Sequence, residues 1–259
     1  MAAQSATLYE EQLKTQHLSN KFRTLEDYDA RLEAVGSSFR IRDFLRRRSA
    51  AGPVRWVDVP SGLGVALHEA CEEFGPGVQA VGIDLIRWDE TTLTASDLEE
   101  LRGRLGPARL ARILSRDSFR FIQQDMAKAV IPGGADLITS VAGIYYHEDP
   151  LAVWQNLYNQ LRPGGVLAAH FMFPKRGHAM ETHRRLAAAL ESRAKTELCF
   201  SRDGRDVVES TLVTRKLVMS PIRLASRVVS VRPYTVSWGR GGKFQIKAVE
   251  YRLAEKPVS

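Results

Sequence analysis

The chain has 259 residues, of which 44% are hydrophobic and 26% are charged. Those proportions are typical of a globular protein with one large domain or two small ones. No apolar run approaches the ~20 residues of a membrane-spanning helix, and the start of the chain lacks a signal-peptide pattern. We therefore expect no membrane contact. Cys71 and Cys199 have no metal-type spacing and no paired framework, so we expect no metal site and a cytoplasmic protein with reduced thiols.

The net charge of +7 is distributed unevenly along the chain. From Phe171 onward there are 18 Lys and Arg against 8 Asp and Glu, whereas the preceding residues carry 19 against 22. A basic C-terminal third can attract an anionic substrate, a nucleic acid or an acidic partner. It can equally be a solvated surface, because its arginines are dispersed and no basic cluster with interleaved aromatics is present.

The sequence alternates apolar runs, typical of buried strands, with helical patterns. Residues 8–48 are predicted to be helical, with breaks near Asn20 and Gly36. Ser96 or Asp97 is expected to cap one of the later helices. The predicted strands are 54–58, 78–85, 119–125, 135–143 and 161–173, and the predicted helices between and after them are 64–74, 96–105, 107–114, 150–161 and 179–194.

Strands separated by helices predict right-handed βαβ units and a doubly wound, mainly parallel sheet with helices on both faces. The tail, residues 196–254, is instead rich in Val, Thr, Tyr and Phe, with turn signals at "RDGRD" and "GRGGK". Segments 228–239 and 244–253 form a hairpin candidate, which we expect at the edge of the same sheet. We predict one domain overall, made of a helical segment 1–50, an α/β core 51–195 and a β-rich segment 196–259 that completes the sheet.

The loop after the first strand is a candidate ligand site. Gly62 and Gly64 would let its backbone approach a ligand closely, and the following helix offers its N–H groups. Two glycines also occur in many tight turns between a strand and a helix, so this signal is weak alone.

Two acids strengthen that hypothesis. Asp84 ends the second strand and Asp125 ends the third, which places both carboxylates at the edge that carries Gly62. The first could accept hydrogen bonds from ribose hydroxyls and the second from a purine amino group. Each acid could instead cap a loop or a helix.

Five segments together resemble the class I S-adenosylmethionine-dependent methyltransferases. They are "VDVPSGLG", "VGIDL", "IQQDM", "ADLITSVAGIYYHEDP" and "LRPGGVLAAHF", and they span about residues 54 to 172. The resemblance implies a Rossmann-like core that binds S-adenosylmethionine (SAM), with an N-terminal helical lid. Tyr9, His17 and Tyr28 lie in that lid, and nothing in the sequence ranks them.

The resemblance also implies roles for single residues. Asp58 would orient the loop near the methionine amino group, Asp84 would hold the ribose, and Asp125 the adenine amino group. Pro60 departs from the family, which usually has glycine there; proline fixes φ and has no N–H. The implied cofactor-binding residues are Asp58, Pro60, Gly62, Gly64, Asp84, Leu85, Asp125, Met126, Ser140 and Val141.

The stretch "GIYYHED" follows the fourth strand, where a methyl acceptor would meet the cofactor. A hydroxyl acceptor benefits from a base whose pKa is near the working pH, and histidine is the usual choice. His147 is therefore the candidate catalytic base, with Tyr145 and Tyr146 as positioning groups. A histidine here can instead organise the loop before the next helix.

We expect a SAM-dependent methyltransferase that acts on oxygen or nitrogen of a small molecule, such as a natural product, as a monomer or homodimer. One alternative is an RNA methyltransferase that uses the basic C-terminal third. The other is a protein that keeps the fold and transfers no methyl group. The sequence has no "N/D-P-P-Y/F" after the fourth strand, which disfavours methylation of exocyclic amines in nucleobases or of glutamine amides.

Overall fold

The computed structural model describes residues 21–141, 143–147, 149–173, 176–200, 208–219, 221–222, 226–238 and 242–253. Two of the lid candidates, Tyr9 and His17, and the predicted turn at 202–206 lie outside these residues. The first part of the predicted helical segment, residues 8–20, lies outside them as well.

The described elements follow the predicted alternation of strands and helices. The helices are α1 (Leu25–Ala34), α2 (Ile41–Ser49), α3 (Val65–Phe74), α4 (Ala95–Leu105), α5 (Pro107–Ser115), α6 (Pro150–Asn159) and α7 (Arg176–Leu190). The strands are β1 (Val54–Asp58), β2 (Val78–Asp84), β3 (Arg120–Gln123), β4 (Ala135–Ser140), β5 (Leu161–Phe173), β6 (Ala194–Phe200), β7 (Val208–Lys216), β8 (Ser226–Trp238) and β9 (Gly242–Leu253).

Seven of these strands form one sheet in the order β3-β2-β1-β4-β5-β7-β6. The first five strands along the chain pair in parallel, and β7 runs antiparallel to both β5 and β6. The predicted fold class, a doubly wound and mainly parallel sheet with antiparallel strands at the C-terminal end, is confirmed.

Helices cover both faces of the sheet, so that its central strands are buried on each side. On one face Leu32 of α1, Leu67 of α3 and Trp56 of β1 belong to one hydrophobic cluster. On the other face Trp154 and Leu157 of α6 pack with strand residues. The apolar runs that we predicted to be buried strands therefore form the core of the protein.

Several helix boundaries differ from the prediction by one to four residues, and two of the differences have an evident local cause. Thr94 caps α4, because its hydroxyl accepts from Asp97 N–H while the Asp97 carboxylate accepts from the Thr94 N–H. Asp97 therefore belongs to the capping box without being the cap, and Ser96 lies inside the helix. Helix α7 begins at Arg176 and ends at Leu190, because strand β6 already starts at Ala194.

The C-terminal strands are divided between two sheets. β6 and β7 complete the main sheet, as predicted, but β8 and β9 form a separate two-stranded sheet. The expected edge hairpin of the main sheet was therefore wrong in its placement, although the hairpin itself is present. The edge strand of the main sheet on this side is β6, and neither β8 nor β9 pairs with it. β9 contacts β5, α7 and the turn Ile144–Tyr146.

No helix in the described part of the chain is long and apolar enough to cross a membrane.

Candidate functional site

The register of the sheet places the ends of β1, β2 and β4 side by side. Asp58, the last residue of β1, lies beside Gly82 of β2 and Thr139 of β4. The loop that follows is fixed to both neighbours, because Val59 N–H donates to Thr139 O (2.9 Å) and Ser61 N–H donates to Ile83 O (3.0 Å). The glycine loop is thus held at the carboxyl edge of the sheet.

The two predicted loop glycines have left-handed backbone conformations. Gly62 has φ 55° and Gly64, which caps α3, has φ 75°. Other residues adopt such conformations at a cost, so both positions require glycine. The Gly62 N–H donates to Asp84 Oδ2 at 2.8 Å, which joins the loop to the end of β2.

Asp84 is the centre of this junction. Its other oxygen, Oδ1, accepts from Ile86 N–H at 3.2 Å, and the residue is only 5% exposed. Burial raises the pKa of the Asp84 carboxyl to about 6, although the backbone N–H donors favour the charged form. Leu85, the next predicted residue, accepts from Gln123 Nε2 through its carbonyl (3.1 Å) and so ties β3 to this turn.

Asp58 is buried in a hydrogen-bonded network. Its Oδ2 accepts from the Tyr28 hydroxyl (2.7 Å) and its Oδ1 from the Thr139 hydroxyl (2.6 Å). Thr139 in turn accepts from Trp56 Nε1 at 2.9 Å. Burial raises the pKa of Asp58 to about 7, because the two hydroxyl donors offset only part of the desolvation and Asp84 adds repulsion.

Pro60, the departure from the family pattern, is accommodated by the loop after β4. A β-carbon built on Gly143 would overlap Cδ of the Pro60 ring. The Val59–Pro60 peptide bond is cis. The proline does not detach the loop from the sheet, because Val59, Ser61 and Gly62 still donate hydrogen bonds to the ends of β4 and β2.

Asp125 organises the turn Met126–Lys128 after β3. Its Oδ1 accepts from Ala127 N–H at 2.9 Å, and its side chain is 38% exposed, so it keeps acceptor capacity toward solvent. Met126 is buried. Asn156 of α6 holds the end of this turn by donating to Ala129 O at 3.0 Å.

His147 lies close to that turn. Its Nδ1 accepts from the Asp149 N–H at 3.0 Å, and its Nε2 lies 3.9 Å from Asp125 Oδ1. In the neutral imidazole, an Nδ1 that accepts leaves the proton on Nε2. Nε2 is then a donor directed toward the Asp125 side of the site, and a role as base needs the other tautomer.

The end of β4 provides a buried wall. Ser140 and Val141 are buried, and so is Tyr145 in the following turn. The Ser140 hydroxyl and the Ser61 hydroxyl of the glycine loop are both buried without a hydrogen-bond partner among the described residues. Buried hydroxyls are ordinarily paired, so two unpaired ones near the same sheet edge are what a polar ligand could satisfy.

These observations test whether the residues fit SAM. A carboxylate at the end of β2, a partly exposed carboxylate after β3 and two unpaired hydroxyls suit the ribose, the adenine amino group and the polar end of the ligand. One feature limits the fit, since a β-carbon on Gly62 would lie 2.5 Å from the Lys21 carbonyl oxygen. That side of Gly62 is covered by the protein's own backbone, so the ligand approaches the loop from elsewhere.

The structure brings together Asp58, Pro60, Gly62 and Asp84, and it places His147 Nε2 3.9 Å from Asp125 Oδ1. The functional roles of these residues, of Tyr145 and of Tyr146 stay predictions. Sequence reasoning did not single out Thr139, Ser61 or Asn156. Thr139 had a signal, because its place beside Asp58 follows from pairing β1 with β4, whereas Asn156 carried none.

No protein-family model matches the sequence, and no curated protein shows a significant match. Solved structures do match. The cyclase SpnF aligns at 16% identity over 69% of this chain and 80% of that one, with a TM-score of 0.44. The O-methyltransferase StiE aligns at 14% identity over 69% and 74%, with a TM-score of 0.45. A SAM-dependent methyltransferase from Thiobacillus denitrificans, in complex with S-adenosylhomocysteine, aligns at 15% over 72% and 98%, with a TM-score of 0.40.

The structures matched are mostly SAM-dependent methyltransferases. The sheet order of this chain, with helices on both faces, is by itself that of a doubly wound, Rossmann-like α/β fold.

Proposed function

We propose that the protein is a SAM-dependent methyltransferase acting on oxygen or nitrogen of a small-molecule acceptor. The observation that carries this proposal is the junction at the carboxyl edge of the sheet. There the Asp84 carboxylate at the end of β2 is bonded to the glycine loop through Gly62 N–H (2.8 Å), beside the loop that bears Asp125. In doubly wound sheets this edge is where ligands bind.

Different residues of the chain would bind the ribose, the adenine and the methionine end of the cofactor. Asp84 would accept from the ribose hydroxyls, and Asp125 with Met126 would hold the adenine. The buried Asp58 carboxyl and the unpaired hydroxyls of Ser61 and Ser140 would serve the methionine end. When bound, SAM supplies an activated methyl group that an oxygen or nitrogen can attack.

The protein's contribution to the reaction is alignment and exclusion of water. The end of β4, with Ser140, Val141 and Tyr145 buried, provides a dry wall for that purpose. An amine acceptor needs only to be held without its proton. A hydroxyl acceptor needs a base, and His147 serves as one only in the tautomer that leaves Nε2 unprotonated.

Calorimetric titration with SAM and S-adenosylhomocysteine tests the proposal. We expect wild type to bind both at about micromolar dissociation constants, and Asp84→Asn to weaken binding by about 10- to 100-fold through loss of charge-assisted hydrogen bonds. Asp117→Asn is the matched control, because that acid is exposed, precedes β3 and bonds only to Ser115 in the described part of the chain. Wild type that binds neither compound would contradict the proposal.

Transfer of a labelled methyl group then distinguishes the acceptors. Small hydroxyl and amine compounds should be labelled, with little effect of ionic strength. An RNA acceptor engaged by the basic C-terminal third would instead give activity that falls steeply with salt. Cofactor binding without transfer to any acceptor would favour the second alternative, a protein with this fold that moves no methyl group.

A further inference from the structure

The N-terminal residues 21–28, which we call the strap, contact the loop after β1 and the segment after β2. The Lys21 carbonyl accepts from Leu63 N–H at 2.9 Å, so the strap rests on the glycine loop. The Lys21 ammonium lies 4.5 Å from the centre of the Trp88 ring and 3.6 Å from Asp97 Oδ2. The strap therefore connects the loop after β1 with the segment after β2.

The far end of the strap is fixed just as firmly. Thr24 caps α1, and the Leu25 N–H donates to Glu69 Oε2 of α3 at 2.7 Å. This start of the helix directs Tyr28 inward, where it is 2% exposed and donates to Asp58 Oδ2 at 2.7 Å. The hydroxyl of Tyr28 is thus the strap's link to the buried carboxylate.

The charge of Asp58 depends on what faces it from each neighbouring element. From β4 and α1 it receives the hydroxyl donors of Thr139 and Tyr28, which favour its charged form. From β2 it faces Asp84, which opposes that form, and from the strap the positive charge of Arg23, which favours it. Burial is the largest influence and also opposes ionisation. Removal of either hydroxyl therefore makes Asp58 easier to protonate.

We infer that Tyr28 is a positioning residue of the cofactor site, which holds the strap on the glycine loop and keeps the Asp58 carboxylate charged toward the cationic amino group of SAM. The inference rests on the proposed function. It adds a residue from outside the α/β core to the machinery that binds the methionine end, and it makes the strap part of the site.

The test compares two probes across a range of pH. S-adenosylhomocysteine carries the amino group, whereas 5′-methylthioadenosine has the same nucleoside without the amino acid. In wild type the affinity for S-adenosylhomocysteine should fall as Asp58 is protonated, and the affinity for methylthioadenosine should not. Tyr28→Phe should lower the affinity for S-adenosylhomocysteine by about tenfold at neutral pH. It should also move the midpoint of the pH dependence of that affinity upward.

Two further variants keep the test independent of folding. A fluorinated tyrosine at position 28 is a stronger donor, so it should move the midpoint to lower pH. Thr139→Val removes the second donor to Asp58 and should move it upward with the strap still in place. Tyr158→Phe is the matched control, since that hydroxyl donates to Arg193 O on another part of the fold (3.3 Å) and should leave the midpoint unchanged.

The outcomes separate the two proposals. The inference is wrong if Tyr28→Phe lowers the affinity for S-adenosylhomocysteine equally at every pH, or lowers the affinities for both probes alike. Tyr28 would then contribute only through packing. If the fluorinated tyrosine leaves the midpoint unmoved, the inference is wrong as well. If wild type binds neither probe, the proposed function fails and the inference fails with it.

Discussion

The ring of Pro60 packs directly against Gly143, so closely that a β-carbon on Gly143 would overlap Pro60 Cδ. Pro60 belongs to the loop after β1, and Gly143 to the segment after β4. A bulky residue in the first loop, where the family that the sequence resembles usually has glycine, is therefore matched by a residue without a side chain in the second. The two loops that frame the proposed cofactor site are fitted to each other at this contact.

Gly143→Ala should therefore destabilise the protein, and removal of the ring should reverse the effect. We expect a loss of about 1–3 kcal/mol in the free energy of unfolding for Gly143→Ala, the usual cost of an added methyl group in a packed site. The double variant Pro60→Gly/Gly143→Ala should recover part of that loss. Urea denaturation of all four proteins measures the coupling; effects that simply add would show that the contact is not what constrains position 143.

Asp125 should determine which purine the site accepts. S-inosylhomocysteine has a carbonyl where S-adenosylhomocysteine has its amino group, and a carboxylate cannot accept from it. Wild type should prefer the adenosyl compound by about 10- to 100-fold, since a mismatch leaves polar groups unpaired. Asp125→Asn, which can donate as well as accept, should reduce that preference. An equal preference in wild type and variant, by calorimetry, would place the adenine elsewhere.

The buried acids predict a pH dependence of stability. Burial raises the pKa of Asp58 from 3.8 to about 7 and that of Asp84 to about 6. A carboxyl whose pKa is higher in the folded state stabilises the fold below its unfolded pKa, and that stability is lost as the pH rises through the folded pKa. The free energy of unfolding contributed by these groups should fall by a few kcal/mol between about pH 4 and about pH 7.

Asp58→Asn checks this sign, because asparagine is similar in shape and does not titrate. The variant should therefore become more stable relative to wild type as the pH rises from about 5 to about 8. Urea denaturation at both pH values gives the difference. A relative stability that declines with rising pH would mean that the Asp58 carboxylate stabilises the fold when charged.

His147 can be assigned by comparing binding with turnover. Because its Nδ1 accepts from Asp149 N–H, we expect it to hold the start of α6 and the Asp125 turn. His147→Ala should then raise the dissociation constant of S-adenosylhomocysteine several-fold and change kcat by less than about tenfold. If kcat instead falls by about 10²- to 10⁴-fold with binding unchanged, His147 is the catalytic base.

Much of the fold follows from local patterns in the sequence. The apolar runs predict β1 to β5 because both faces of a central parallel strand are buried, and the segments on either side of "GRGGK" predict the hairpin of β8 and β9. The Thr94 cap was missed, although the spacing of Thr94 and Asp97 carries the capping-box signal. The separate placement of β8 and β9 has no local signal, because it depends on contacts of β9 with β5, α7 and the turn Ile144–Tyr146, which are distant in sequence.

The site is predictable to the same extent. Acids at strand ends can be placed at one edge from topology alone: Asp84 ends β2 as predicted, whereas β3 ends at Gln123 and Asp125 lies in the turn that follows. The contact between Tyr28 and Asp58 joins residues 30 positions apart and requires α1 to dock at one angle on α3, which no periodicity encodes. The match of Pro60 to Gly143 is likewise a property of two loops together. Pro60 read alone suggests a distorted loop, because the sequence does not show that Gly143 makes room for its ring.

The most direct test of the account is a crystal structure of the protein with S-adenosylhomocysteine. We expect the ribose hydroxyls within hydrogen-bond distance of the Asp84 carboxylate, the adenine beside Met126 with its amino group on Asp125, and Tyr28 still bonded to Asp58. A ligand bound away from the ends of β2 and β3 would contradict the account, and so would a ribose with no contact to Asp84.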